Sequence, residues 1–216
     1  MNRKRNGKGT EYKSFYLENN GDYYSYLSIN KLKLIKIFSG EYMNGERKER
    51  KEYNYDEKLV YEGEYLNGER KEGKLYNNDS ELIYEGEIKN GKRHGKGEGY
   101  YRYYRNKYIG EYSESKKNGK GKEYYLEDDS KEGYLIFEGE YYNNYRFRGK
   151  EYFNNGKLKF EGEYLFQEKW NGKFYDFNGN VIFELKEGNA KVEEEINKIK
   201  IYVGENLNKK KYKGKN

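Results

Sequence analysis

The chain has 216 residues, of which 38% are charged and 33% hydrophobic even with tyrosine counted, and its net charge is +6. With no cysteine and a single histidine, disulfide frameworks, thiolate zinc sites, cysteine nucleophiles and histidine-rich metal sites are excluded. So little apolar material ordinarily predicts disorder, yet 29 tyrosines and 26 glycines at regular intervals argue for order without one large core.

In chain order, the basic start Met1-Asn2-Arg3-Lys4-Arg5-Asn6-Gly7 has no apolar run behind it, so no signal peptide is predicted. No stretch approaches the roughly 18 apolar residues of a membrane span. The expected location is intracellular and cytoplasmic. Asn6-Gly7-Lys8-Gly9 reads as the second half of a repeat unit, and residues 14–36 match the repeat poorly.

From residue 38 onward one pentapeptide recurs: an aromatic, any residue, Gly, Glu, then usually Tyr. It stands as Phe38-Ser39-Gly40-Glu41-Tyr42, Tyr61-Glu62-Gly63-Glu64-Tyr65 and Tyr84-Glu85-Gly86-Glu87-Ile88. It returns as Tyr108-Ile109-Gly110-Glu111-Tyr112, Phe137-Glu138-Gly139-Glu140-Tyr141 and Phe160-Glu161-Gly162-Glu163-Tyr164. Successive glycines lie 23, 23, 24, 29 and 23 residues apart. Such a period is the signature of a repeat array. Residues 126–135 form the longer insertion, and Phe183-Glu184-Leu185-Lys186 and Tyr202-Val203-Gly204-Glu205 are degenerate copies.

Each unit has a second half, as in Gly73-Lys74-Leu75-Tyr76, Gly95-Lys96-Gly97-Glu98-Gly99-Tyr100 and Gly149-Lys150-Glu151-Tyr152. Asn44-Gly45, Asn67-Gly68 and Asn90-Gly91 separate the halves. Asn-Gly between alternating segments is a strong hairpin signal, because both residues tolerate positive φ. Each period is therefore two strands and two turns. Alternation places Tyr61, Gly63 and Tyr65 on one face and Glu62 and Glu64 on the other. The glycines leave gaps that a ring from a neighbouring strand covers.

The expected fold is all-β: tandem hairpins forming one elongated, twisted antiparallel sheet over residues 1–216. The units lie near 38–60, 61–83, 84–107, 108–136, 137–159 and 160–182, with degenerate copies at 1–37 and 183–216. The segment Tyr84-Glu85-Gly86-Glu87-Ile88-Lys89-Asn90-Gly91-Lys92-Arg93-His94-Gly95-Lys96-Gly97 resembles a full MORN (membrane occupation and recognition nexus) repeat. The resemblance is close in this unit and partial in the others. It implies a place in cytoskeletal or membrane-associated assemblies.

Chemical motifs dissolve on inspection. The slot of His94 holds Glu72, Asn118, Arg148 and Asn171 in other units, which marks a turn or rim position. Gly95-Lys96-Gly97-Glu98-Gly99 lacks the Ser/Thr and the following helix of a phosphate loop. Glu62 and Glu64 read as members of cross-strand ion pairs, and Asn78-Asp79-Ser80 as a turn. The triplets Arg3-Lys4-Arg5 and Lys209-Lys210-Lys211 fall short of the roughly four to eight clustered bases of a lipid-reading segment. Finely mixed glutamates oppose nucleic acid. Residues 190–200, with Val192, Ile196 and Ile199, fit a short amphipathic helix, though their phase favours a degenerate hairpin.

No catalytic, cofactor-binding or metal-ligating residue is assigned. The repeat glycines Gly40, Gly63, Gly86, Gly110, Gly139 and Gly162 are expected to be structural. The expected function is a non-catalytic protein-binding scaffold that offers Tyr65, Tyr112, Tyr141 and Tyr164 as exposed rings. The alternatives are docking to acidic phospholipid and service as an accessory module of a larger enzyme.

Overall fold

A computed structural model describes residues 5–16, 32–127 and 133–191. Lys209–211, the motif at Tyr202, and Val192, Ile196 and Ile199 lie outside the described residues, as do Arg3 and Lys4. The expectation of an all-β chain of tandem hairpins holds. Fifteen strands are described, and their order along the sheet follows the chain. No α-helix occurs among the described residues; one 3-10 turn spans Arg102–Tyr104.

The strands fall into hairpins because the turn residues dictate it. β1 (Gly7–Tyr16) precedes the hairpin of β2 (Leu32–Met43) and β3 (Glu46–Tyr53). β4 (Leu59–Leu66) and β5 (Glu69–Tyr76) form the next, then β6 (Leu82–Lys89) and β7 (Lys92–Tyr101). Asn44-Gly45, Asn67-Gly68 and Asn90-Gly91 close these three with φ between 51° and 87° at both positions, the conformation whose twist matches that of paired strands. β8 (Asn106–Ser113) and β9 (Lys116–Leu126) follow, then β10 (Gly133–Tyr142) with β11 (Tyr145–Tyr152). β12 (Leu158–Leu165) pairs with β13 (Glu168–Tyr175), and β14 (Val181–Lys186) with β15 (Asn189–Lys191).

Between hairpins the chain reverses through side-chain-capped loops. The Asn54 carboxamide oxygen accepts from the amides of Asp56 and Lys58, both at 3.0 Å. Asn77 repeats this with Asp79 and Glu81, both at 2.9 Å, and Asp176 with Asn178 and Asn180, both at 2.8 Å. A short acceptor side chain that bonds its own following backbone fixes such loops.

The chain divides into two compact units, Met1–Gly97 and Glu98–Asn216, with the division inside β7. In the first, Phe38, Tyr61 and Tyr84 are fully buried, with Ile35, Tyr42 and Ile88 beside them. In the second, Tyr108, Phe137 and Phe160 are fully buried, with Tyr112, Tyr141, Tyr164 and Leu126 around them. The first aromatic of each pentapeptide is thus the core anchor of its hairpin.

Glycine stands opposite glycine beneath each anchor. Gly63 pairs with Gly73 and Gly73 with Gly86; Gly110 pairs with Gly121, Gly121 with Gly139, Gly139 with Gly149 and Gly149 with Gly162. A Cβ on Gly63 would come within 2.2 Å of the Glu72 carbonyl oxygen and 2.6 Å of the Tyr61 hydroxyl. Backbone approach therefore excludes a side chain as firmly as the ring does. Tyr61 covers a glycine on its own strand as well as the neighbouring Gly73. Its hydroxyl then donates to the carbonyls of Glu64 (2.7 Å) and Glu72 (3.0 Å). Tyr84 donates likewise to Glu87 (2.8 Å), and Tyr108 to Glu111 (3.1 Å).

Candidate interaction surface

The repeat glycines Gly63, Gly86, Gly110, Gly139 and Gly162 all meet the approaching backbone just described, and each lies on a central strand. The four tyrosines expected to meet a partner do not lie where that role requires. Tyr112 and Tyr141 are 3% exposed, Tyr164 is 6% exposed and Tyr65 is half-buried. This corrects the expectation of exposed rings, and the reason is packing between successive hairpins. Tyr112 meets Tyr108 edge-on at 5.2 Å, Tyr108 meets Tyr141 at 5.0 Å, and Tyr141 meets Phe137 at 5.4 Å. Phe137 then meets Tyr164 at 5.7 Å and Tyr164 meets Phe160 at 5.5 Å. Each edge-to-face pair contributes about 0.5–1.5 kcal/mol beyond its buried area.

The first unit breaks this chain with a cation. Arg50 occupies the glycine row, opposite both Gly40 and Gly63. It is 4% exposed. Its guanidinium carbon lies 3.6 Å from the ring centre of Tyr65 and 5.0 Å from that of Phe38. Where the second unit sets ring against ring, the first inserts Arg50 between two rings.

An ionic ladder runs beside the rings of the second unit. Glu123 accepts from Lys117 and, at 2.6 Å, from Arg146; Arg146 also reaches Glu151 at 3.0 Å. Lys169 and the Tyr164 hydroxyl complete the Glu151 shell, both at 2.9 Å. Burial pushes the Glu123 carboxyl upward, but Lys117 and Arg146 outweigh it and hold the group below the ordinary range. Glu151 is likewise lowered: Lys169, Tyr164 and Arg146 overcome its burial. Burial pulls the Arg146 guanidinium down, and Glu123 more than reverses this. The first unit has a rung of the same kind, Arg70 with Glu52.

Sequence reasoning missed this ladder although it left a signal. The residue five after the last position of each pentapeptide is always basic: Arg47, Arg70, Arg93, Lys117, Arg146 and Lys169. That position faces the second aromatic across the hairpin, as in Tyr65 with Arg70, Tyr141 with Arg146 and Tyr164 with Lys169.

The other residues singled out in the sequence take the following places. His94 contributes its carbonyl to Tyr84 at 3.3 Å. Glu62 pairs with Lys51 at 3.1 Å, and Glu85 with Lys74 at 3.6 Å. These exposed pairs contribute about 0–1 kcal/mol each. Among the described residues no group of three or more His, Asp or Glu side chains is placed to hold a metal ion. No described helix is long and apolar enough to cross a membrane.

Exposed aromatic surface lies elsewhere, at Tyr103 (90%), Tyr104 (67%) and Tyr55 (61%) among others, and at the tips of two successive hairpins in the second unit. Tyr142 is 66% exposed, Tyr145 45% and Phe147 52%, with Leu165 at 42% and Phe166 at 66%. Tyr142 and Tyr145 face each other across the β10–β11 turn. Leu165 and Phe166 enter the β12–β13 turn at the same rim of the sheet. Phe166 and Gln167 hold the turn with φ of 49° and 73°, where three equivalent turns use Asn-Gly and others use Glu114-Ser115, Asn143-Asn144 and Glu187-Gly188. A bulky residue at positive φ is strained, and such strain is retained where something other than stability maintains it.

No protein-family model matches the chain, and no curated protein matches it in sequence.

Proposed function

We propose that the chain is a MORN-type hairpin-repeat module acting in the cytoplasm as a non-catalytic scaffold that binds a protein partner. One observation carries this reading: Tyr142, Tyr145, Phe147, Leu165 and Phe166 all stand in solvent at the tips of two successive hairpins. Contiguous exposed apolar area marks interaction sites on soluble proteins. Aromatic side chains supply large contact area at low conformational cost, which is why they dominate binding hot spots. The strained Phe166 supports the same reading, because Asn or Gly there would fold more easily.

In-cell crosslinking tests it. A photoreactive phenylalanine analogue at position 166 captures discrete protein adducts, whereas the same group at Lys173, on the charged face, does not. Equal patterns at both positions, or lipid adducts alone at 166, refute the proposal.

A further inference from the structure

The charged face of the second unit contains a groove of about 730 Å³. Its floor is the backbone of Gly121, Gly139, Gly149 and Gly162. The glycines that admit the rings on one face leave a trough on the other. The residues flanking each glycine form the two walls, about 6.7 Å apart along a strand.

Those walls carry charge in bands. β9 contributes Lys120 and Lys122, one on each wall, and β10 contributes Glu138 and Glu140. β11 contributes Arg148 and Lys150, and β12 contributes Glu161 and Glu163. Register confirms the alignment: Lys122 opposes Glu138 and Lys120 opposes Glu140, while Arg148 opposes Glu163 and Lys150 opposes Glu161. Each strand is thus uniformly positive or uniformly negative across the groove, and the sign alternates from strand to strand. The corresponding groove of the first unit differs, since Glu64 there pairs in register with Glu72, and Glu72 with Glu87.

The two basic bands are available to an anion in a way the acidic bands are not. Glu138 already accepts from Tyr152 at 2.5 Å and Lys122 at 3.2 Å. Glu140 accepts from Arg148 at 2.8 Å, and Glu163 from Asn171 at 2.8 Å. A lysine has three N–H donors and an arginine five, so one such bond leaves most of each cation's donors over. Side-chain exposure agrees in two of the three ion pairs, 52% for Lys122 and 59% for Arg148 against 34% for Glu138 and 32% for Glu140, while Lys150 and Glu161 are similar at 44% and 49%.

Spacing selects the ligand's backbone. Strands lie about 4.8 Å apart, so the two basic bands repeat at about 9.6 Å. A polyproline-II helix advances about 9.3 Å per three-residue turn. An extended strand repeats its side chains at about 6.7 Å, and an α-helix, about 10 Å across, is too wide for the trough. We infer that the glycine-floored groove of β9–β12 docks a polyproline-II segment of another protein that carries an acidic residue at every third position. One carboxylate sits between Lys120 and Lys122 and the next between Arg148 and Lys150, with the Ile109 side chain, 39% exposed, meeting a proline ring at the groove's end. These 216 residues contain no proline, so they do not supply the segment. The inference rests on the scaffold reading but uses a different surface from the apolar rim.

The test uses the full chain and labelled synthetic peptides of equal charge, read by fluorescence anisotropy. Peptides of repeated Pro-Pro-Glu should bind about tenfold more tightly than peptides with glutamate at every second or every fourth position. Repeated Pro-Pro-Lys should bind no better than those spacing controls. Arg148→Glu should lose about tenfold in affinity, with Lys120→Ala as a milder second variant should Arg148→Glu fail to fold by circular dichroism. Equal binding of all three acidic spacings, preference for the lysine peptide, or no binding overturns the inference. Replacing Phe166 and Gln167 by Asn and Gly should leave peptide binding intact. Loss of rim adducts with peptide binding retained therefore bears on the rim alone, and loss of spacing preference with rim adducts retained bears on the groove alone.

Discussion

Tyr108 lies directly over Gly121: a Cβ placed on that glycine would stand 2.3 Å from the Tyr108 hydroxyl and 2.4 Å from its ring. The anchor ring of a hairpin and the glycine of its returning strand thus occupy one space. Gly121→Ala should cost about 1–3 kcal/mol, because ring or backbone must give way. Lys122→Ala, on the opposite face, should change stability by less than about 0.5 kcal/mol. Urea unfolding separates the two, and equal midpoints would mean that the ring does not enforce glycine.

Arg50 offers the complementary test. Its guanidinium stands over Tyr65 and beside Phe38 inside the first unit. Arg50→Met keeps length and apolar bulk but removes the cation. The loss should be about 1–2 kcal/mol, the scale of a desolvated cation–π contact. Unchanged or raised stability would assign the contact a filling role only.

The ionic ladder makes the second unit sensitive to acid. Glu123 and Glu151 have lowered folded pKa values. Their stabilisation is therefore present above the unfolded carboxylate value of about 4.3 and is lost as pH falls from there through the folded values. Glu123→Gln leaves Lys117 and Arg146 sharing too few carboxylates, at a cost of about 3 kcal/mol near neutrality. Denaturation from pH 7 down to pH 3 should show the variant's deficit shrinking as the wild type loses the same charge. A constant deficit would contradict the ladder's contribution.

Alkali acts on the rings. Burial raises the hydroxyls of Tyr61, Tyr84 and Tyr108 above the ordinary tyrosine range, Tyr84 to about 12. A raised folded pKa gives stability that is complete below the unfolded value of about 10 and lost as pH rises through the folded value. Ultraviolet titration should therefore resolve a second class of tyrosines that ionises only as the far-ultraviolet strand signal disappears. A single ionisation step that leaves the strand signal intact would contradict the burial of these rings.

Much of this architecture is legible in local chemistry. Asn44-Gly45 and its counterparts determine where the chain turns, and the spacing of Gly63, Gly86 and Gly110 fixes which residues meet across strands. The burial of Tyr112 and Tyr141 is not legible in the same way. A ring beside a glycine on a single-layer sheet reads as half-exposed until the next hairpin is added, and Tyr141 is covered because it meets Tyr108 from the preceding hairpin. The recurrent basic residue five places after that ring was available in the sequence, yet its meaning depends on carboxylates such as Glu123 that arrive from another hairpin. Phe166 was legible as an anomaly, since it fills a turn position where Asn is the local preference. No interruption of the pentapeptide announces the division at Gly97.

The most direct measurement replaces Phe166 by Asn and Gln167 by Gly, restoring the turn chemistry used elsewhere in the chain. Relief of left-handed strain should raise stability by about 0.5–1 kcal/mol. The same change should abolish the protein adducts captured by a photoreactive group placed at Phe147 on the rim. A more stable protein that loses its partner is the predicted result; a more stable protein that captures the same adducts would contradict the rim as a binding surface.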